Sequence, residues 1–321
     1  MTGPVLEVRE LVVEFLSEDG PLRAVDGVSL SIGRGEIVGL VGESGAGKTL
    51  TSEAILGLIR CPPGRVRGEV RFRGRNLLAL PEREMARIRG KEIAMIFQNP
   101  AASLNPVFRV GDQLVEAMGL HLEGGRGTLR RRAVEILARV GIPAAARRAH
   151  DYPHQFSGGM AQRVMIGMGV ACVPRLLIAD EPTTALDVTI QAQVLALIRR
   201  LAREMGMAVL LVSHDLGIIS QMCHRVIVMY AGRIVEEAPI ATVFRTPAHP
   251  YTRALIACLP GLDGAGRLGA IPGVMPGLKG LPPGCSFHPR CPVAEPRCAV
   301  EEPARRPAGR DQVAACHLVG A

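Results

Sequence analysis

The chain has 321 residues, 48% of them hydrophobic, with a mean hydropathy of +0.22. That is enough to bury a substantial core and allows roughly two to three structural units. No stretch approaches the ~18 consecutive apolar residues of a membrane-spanning helix. Glu7, Arg9 and Glu10 interrupt the first ten residues, which is unlike a secretory leader, so a protein kept in the cytoplasm is expected. The net charge of +8 suits phosphate ligands, nucleic acid or an anionic membrane surface. With ten aromatic residues and no Trp, little is left for stacking on bases.

In chain order, Val8, Leu11, Val13 and Phe15 fall among polar residues in a strand-like pattern, and 24–32 is a second extended run, so two strands are expected first. Residues 37–41 form a short apolar strand that enters a glycine-rich turn, and 49–59 reads as a helix. Strand, turn and helix make the phosphate-binding unit of an α/β protein. Further strands are expected at 70–73 and 93–97. The stretch 108–172 reads as helical, with Leu129, Ala133, Ile136, Leu137 and Val140 on one face and Arg130, Arg131, Arg132 and Arg139 on the wet side. Apolar strands return at 176–179 and 208–212. Between them lies an amphipathic helix carrying Ile190, Val194, Leu197, Ile198 and Leu201. Residues 226–230 and 234–235 form a closing hairpin. The pattern implies an α/β protein with a parallel sheet covered on both faces and a smaller antiparallel sheet attached.

The chemistry concentrates in three places. Gly42-Glu43-Ser44-Gly45-Ala46-Gly47-Lys48-Thr49 fits G-x-x-x-x-G-K-[ST], followed by Leu50. Backbone N–H groups freed by the glycines would wrap the phosphates, Lys48 would reach the β- and γ-phosphates, and the Thr49 hydroxyl would ligate Mg²⁺. Lys48 is one of only three lysines. The apolar strand 176–179 delivers Asp180 and Glu181 at its carboxyl end, where α/β folds bind ligands. Asp180 suits the Mg²⁺ shell and Glu181 suits activation of the attacking water. Ser157-Gly158-Gly159 opens a helix and is a second anion cradle. A second cradle in one chain suggests a nucleotide site shared between two subunits.

With these motifs the chain resembles the ATP-binding subunit of ABC transporters, in the dipeptide/oligopeptide (and nickel) importer branch. The resemblance implies a P-loop (RecA-like) core with an antiparallel β subdomain and an α-helical subdomain at about 100–172. It also implies that Ser157, Gly158 and Gly159, with Met160 where many relatives have Gln, form the signature that meets the partner subunit's ATP. Gln98 looks like the Q-loop glutamine that touches Mg²⁺, Ala185-Leu186-Asp187 like the D-loop, and His214 like the switch histidine. Phe15 takes the place of the aromatic that stacks on adenine. Residues 99–106 and His249-Pro250-Tyr251-Thr252 also look like this branch. The expected activity is ATP hydrolysis coupled to solute import. The expected partners are a second, homologous ATPase subunit in a heterodimer, two permease subunits and, indirectly, an extracytoplasmic binding protein, with the chain peripheral on the cytoplasmic membrane face. The alternative is a soluble ABC ATPase acting on nucleic acid or ribosomes. A small-molecule P-loop kinase would leave Ser157, Asp187 and His214 unexplained.

A domain boundary is expected near Pro260, giving an ATPase domain over 1–259 and an extension over 260–321. Gly and Pro supply twenty of the last 62 residues, and Cys285, Cys291, Cys298 and Cys316 crowd there. Four thiolates could organise such a segment around zinc or an iron–sulfur cluster, with His288 and His317 open to a mixed zinc site. The resemblance favours [4Fe–4S].

Overall fold

The computed structural model describes residues 3–18, 20–99, 103–184, 186–259 and 270–319. The chain divides into two compact units. The first comprises Met1–Ile32, Ile37–Ala79 and Leu211–Ala321; the second comprises Gly33–Glu36 and Leu80–Leu210.

The first unit opens with an antiparallel sheet in the order β2-β1-β4-β5, made of β1 (Leu6–Ser17), β2 (Gly20–Ile32), β4 (Gly64–Phe72) and β5 (Arg75–Asn76). Leu6 and Val8 are buried, and then Leu11 and Val13, so the inward face changes parity inside one strand. A register shift between Val8 and Leu11 accommodates this, with Glu10 at φ 46°. The extra residue of such a bulge returns the next apolar side chains to the core face.

The same unit holds β3 (Ile37–Val41), buried at every residue and parallel to β9 (Arg225–Tyr230). Burial on both faces is what a wholly apolar short strand predicts. β9 turns at Ala231 (φ 46°) and Gly232 (φ 83°) into the antiparallel β10 (Arg233–Pro239). Helix α1 (Lys48–Ile55) follows β3 and stops short of the expected residue 59. Gly57 (φ 63°) ends it: Gly57 N donates to Ala54 O and Leu58 N to Glu53 O, the double closure that glycine permits after a helix.

In the second unit β6 (Ile93–Ile96) and β7 (Leu176–Asp180) run parallel; β8 (Ala208–Ser213), which begins in this unit and passes into the first at Leu211, is buried along its whole length. α2 (Glu82–Ile88) precedes β6. The helical stretch resolves into α3 (Val110–Gly119), α4 (Arg126–Arg139), the short α5 (Ala145–Arg148) and α6 (Gly158–Val170). Gly124 (φ 146°) and Gly141 (φ 81°) separate the first three. On α4 Leu129, Ala133 and Leu137 face inward while Arg130, Arg131, Arg132 and Arg139 are exposed. α7 (Val188–Met205) buries Val194, Leu197, Ile198 and Leu201 as expected, but Ile190 is only half-buried.

The first unit is completed by α8 (Leu216–Met222), α9 (Ile240–Arg245), α10 (Pro250–Ala257) and a hairpin of β11 (Arg306–Gly309) and β12 (Gln312–Ala314). The sheet order there is β11-β12-β10-β9-β3. The expected boundary near Pro260 lies outside the described residues. No helix among the described residues is long and apolar enough to cross a membrane.

Candidate functional site

In the first unit, residues 42–49 link β3 to α1 in the expected strand–loop–helix order. Two backbone positions depend on glycine. A Cβ on Gly42 would lie 2.2 Å from Met229 O. At Gly47 (φ 98°) it would lie 2.7 Å from Ala24 O, where any side chain is also strained. The loop therefore lies directly against neighbouring backbone. Lys48 is 5% exposed, and its Nζ donates to Gly42 O (2.7 Å) and Glu43 O (2.9 Å), which stretches the side chain back along the loop. Ser44, Gly45 and Thr49 lie at the surface, Leu50 is half-buried and Ala46 is buried.

The loop is also held from behind. Tyr251 on α10 is fully buried, and its hydroxyl accepts from Glu43 N at 2.9 Å. Its helix is capped by His249, whose Nδ1 accepts from Tyr251 N at 3.0 Å. Burial, with Arg253 nearby, pushes the His249 pKa down to about 3, so the imidazole stays neutral. The His-Pro-Tyr-Thr motif thus has a physical use that its sequence did not reveal: it braces the phosphate loop.

His214 follows β8 directly and is exposed. Its neighbour Asp215 caps α8, accepting from Gly217 N and Ile218 N. Phe15 is half-buried near the end of β1, paired with Leu22 and Gly64.

In the second unit, Asp180 ends β7 and is 3% exposed. Glu181 turns away from the strand at φ 45°, a backbone conformation uncommon outside glycine and frequent where a side chain is aimed for use. Its Oε2 accepts from Gln98 Nε2 (3.0 Å) and from Thr184 Oγ1 (3.0 Å). The unit therefore brings Gln98 and Glu181 together across the chain, and Thr184 joins them from the local turn in which its N–H donates to Glu181 O (3.2 Å).

Ser157 caps α6 by accepting from Met160 N (3.4 Å). Ser157 and Gly158 are exposed, and Gly158 has open space where a Cβ would sit, whereas a Cβ on Gly159 would lie 2.8 Å from Ile190 Cγ2. Asp187 caps α7, its Oδ1 accepting from Ile190 N at 2.9 Å. Ala185 lies outside the described residues, as do Pro100, Ala101 and Ala102 after the glutamine.

The cysteine expectation is corrected. No group of three or more His, Cys, Asp or Glu side chains among the described residues is placed to hold a metal ion, so neither [4Fe–4S] nor zinc is supported. Burial pushes the Cys285, Cys291 and Cys316 thiols up. His288 Nδ1 and His317 Nε2 instead lie against the carbonyls of Cys285 and Glu301, each at 2.9 Å. The segment is ordered by ordinary packing. Phe287 is 1% exposed and meets Tyr230 edge-on (5.2 Å) and Tyr251 (5.3 Å).

A phosphate loop between strand and helix, in a chain that also ends a buried strand in Asp-Glu, defines a P-loop nucleotide-hydrolysing protein. Residues 25–184 match the ABC transporter family, and residues 235–298 match the oligopeptide/dipeptide transporter C-terminal region. The chain is 49% identical to the dipeptide transport ATP-binding protein DppD of Escherichia coli, over 98% of this chain and 96% of that one. It is 47% identical to the oligopeptide transport ATP-binding protein AppD of Bacillus subtilis, over 90% and 88%. Among solved structures it is similar to the ATP-binding cassette MJ0796 in a dimeric post-hydrolysis state with ADP and Pi. That likeness has a TM-score of 0.66 at 27% identity, over 73% of this chain and 98% of that one. The chain belongs to the ATP-binding proteins of the ABC transporters and is an ATPase. The nucleic-acid alternative receives no support from these relatives.

Proposed function

We propose that this chain is the ATP-hydrolysing subunit that energises import of dipeptides or oligopeptides through a membrane ABC transporter. The observation that carries the peptide reading is the match of residues 235–298 to the oligopeptide/dipeptide transporter C-terminal region. The roles follow from the resemblance to the family together with the chemistry of each residue. Residues 42–50 bind the phosphates, with Lys48 as the point charge on the β- and γ-phosphates. Phe15 packs on the adenine. Thr49, Asp180 and Gln98 offer hydroxyl, carboxylate and amide oxygens, the hard donors that suit Mg²⁺. When bound, the ion neutralises charge on the phosphates. Glu181, oriented through Oε2 by Gln98 and Thr184, takes the proton of the attacking water. His214, exposed at the end of β8, contacts the γ-phosphate end of the nucleotide.

Ser157, Gly158, Gly159 and Met160, with Asp187, serve the nucleotide held by a second, homologous ATPase subunit. Residues 1–259 are the ATPase domain, with its helical part at about 100–172, and 260–321 are an extension. Two permease subunits and an extracytoplasmic binding protein complete the importer, and the chain sits on the cytoplasmic face of the membrane. Reconstitution tests this: in vesicles carrying the permease pair and both ATPase subunits, a peptide-loaded binding protein should stimulate turnover. Stimulation by RNA or DNA, with none by peptide, would sink the proposal.

A further inference from the structure

One buried charge of the C-terminal tail lies against the phosphate loop and has no part in the assignments above. Arg290 is 5% exposed on its side chain, and its guanidinium grips Glu43 with both prongs: Nη1 to Oε2 at 2.8 Å and Nη2 to Oε1 at 3.0 Å. Nη1 also donates to the Tyr230 hydroxyl (3.3 Å), Nε donates to Pro272 O (2.7 Å), and the cation lies 5.8 Å from the centre of the Tyr230 ring. A buried guanidinium persists only when paired this fully. Here its carboxylate partner, Glu43, is the second residue of the phosphate loop.

Two physical effects follow. Glu43 is held at three groups: its N–H by Tyr251, its carbonyl by Lys48 Nζ, and its carboxylate by Arg290. The first turn of the loop is thereby fixed before any ligand arrives, which lowers the ordering cost of binding. The second effect is charge. An unpaired carboxylate in a loop that wraps polyphosphate repels its own ligand, and Arg290 cancels it at contact distance.

We propose that Arg290 is a positioning residue for the nucleotide: acting through Glu43, it shapes and neutralises the phosphate loop, which makes the tail part of the nucleotide-binding machinery. This rests on the loop being the ATP site.

The test uses the full chain with a fluorescent ATP analogue, together with MgATP turnover and thermal midpoints. Arg290→Ala should weaken nucleotide binding by about tenfold or more and raise KM, with kcat at saturating ATP changed by no more than about threefold, because the hydrolytic residues are untouched. Arg290→Lys keeps the charge but loses the fork, and should fall between wild type and Arg290→Ala. Adding Glu43→Gln to Arg290→Ala should recover part of the lost affinity, since the uncompensated carboxylate is gone; a residue that only holds the tail in place would show no such rescue. Unchanged affinity in Arg290→Ala would overturn the proposal, as would a loss confined to kcat or a double variant no better than the single. Should Arg290→Ala fail to fold, Arg290→Lys and the double variant carry the same comparison. Lys48→Ala separates the two readings: if it binds nucleotide like wild type, the loop is not the ATP site; if it loses binding while Arg290→Ala does not, only the positioning role fails.

Discussion

Glu181 occupies a left-handed backbone conformation at φ 45°, and two donors, Gln98 and Thr184, converge on its Oε2. Replacing the carboxylate by an amide of the same shape keeps a hydrogen-bonding group at that place but removes the base. Glu181→Gln is therefore expected to bind MgATP with wild-type affinity and to hydrolyse it roughly 10²-fold more slowly or worse. Stopped-flow binding and phosphate release measure the two quantities separately. Turnover near the wild-type rate would move the hydrolytic role to another group, with His214 next in line. Thr184 contributes only orientation in this arrangement. Thr184→Val should accordingly lower kcat by less than Glu181→Gln does and leave KM for ATP unchanged, as steady-state kinetics would record.

Among the elements, α10 links acid sensitivity to the loop it braces. The His249 pKa falls from 6.5 to about 3, first through burial and then through Arg253. The unfolded chain takes up that proton at a higher pH than the folded one. The stability that neutral His249 confers is thus fully present above pH 6.5 and is lost progressively as the pH falls from 6.5 toward 3, at about 1.4 kcal/mol per pH unit. Thermal midpoints of His249→Asn, which can still accept from Tyr251 N without titrating, should fall less steeply across that range; identical slopes would show that other groups set the acid limit. This element also marks where sequence reading stops. A glycine-rich loop between an apolar strand and a helix is local, so residues 42–49 were legible, as were Asp180 and Glu181 at the end of a wholly apolar run. The β1 bulge was not, because a change of inward parity between Val8 and Leu11 depends on what β2 and β4 place opposite. The end of α1 was missed because Gly57 acts through its positive φ, which hydrophobic spacing does not register. The tail departs from expectation for a related reason: four cysteines among Gly and Pro point to a metal core, whereas Phe287 and Arg290 pack on residues far away in the chain.

For the whole molecule, the proposed pairing of two ATPase subunits across the nucleotide makes a surface prediction. Gly158 is exposed and has room for a side chain, so Gly158→Asp should fold normally and bind ATP through its own loop. The added carboxylate would face the partner's phosphates, and ATP-dependent association, followed by light scattering in a Glu181→Gln background, should be lost. Association at wild-type ATP concentrations would remove residues 157–160 from the shared site. The tail bears on the molecule in one more way. Glu236, fully buried on β10, accepts from Ala248 N, His249 N and Gln312 Nε2, and β12 pairs with β10 at Glu236 and Glu237. The outermost strand, β11, is four residues long and carries Arg306 and Pro307, features that discourage further strand pairing. A chain ended before Arg306 would lose that blunt margin and lay open the backbone of β10, a longer strand rich in apolar residues. Shortened versions should then assemble edge to edge into aggregates even while their phosphate loop remains intact.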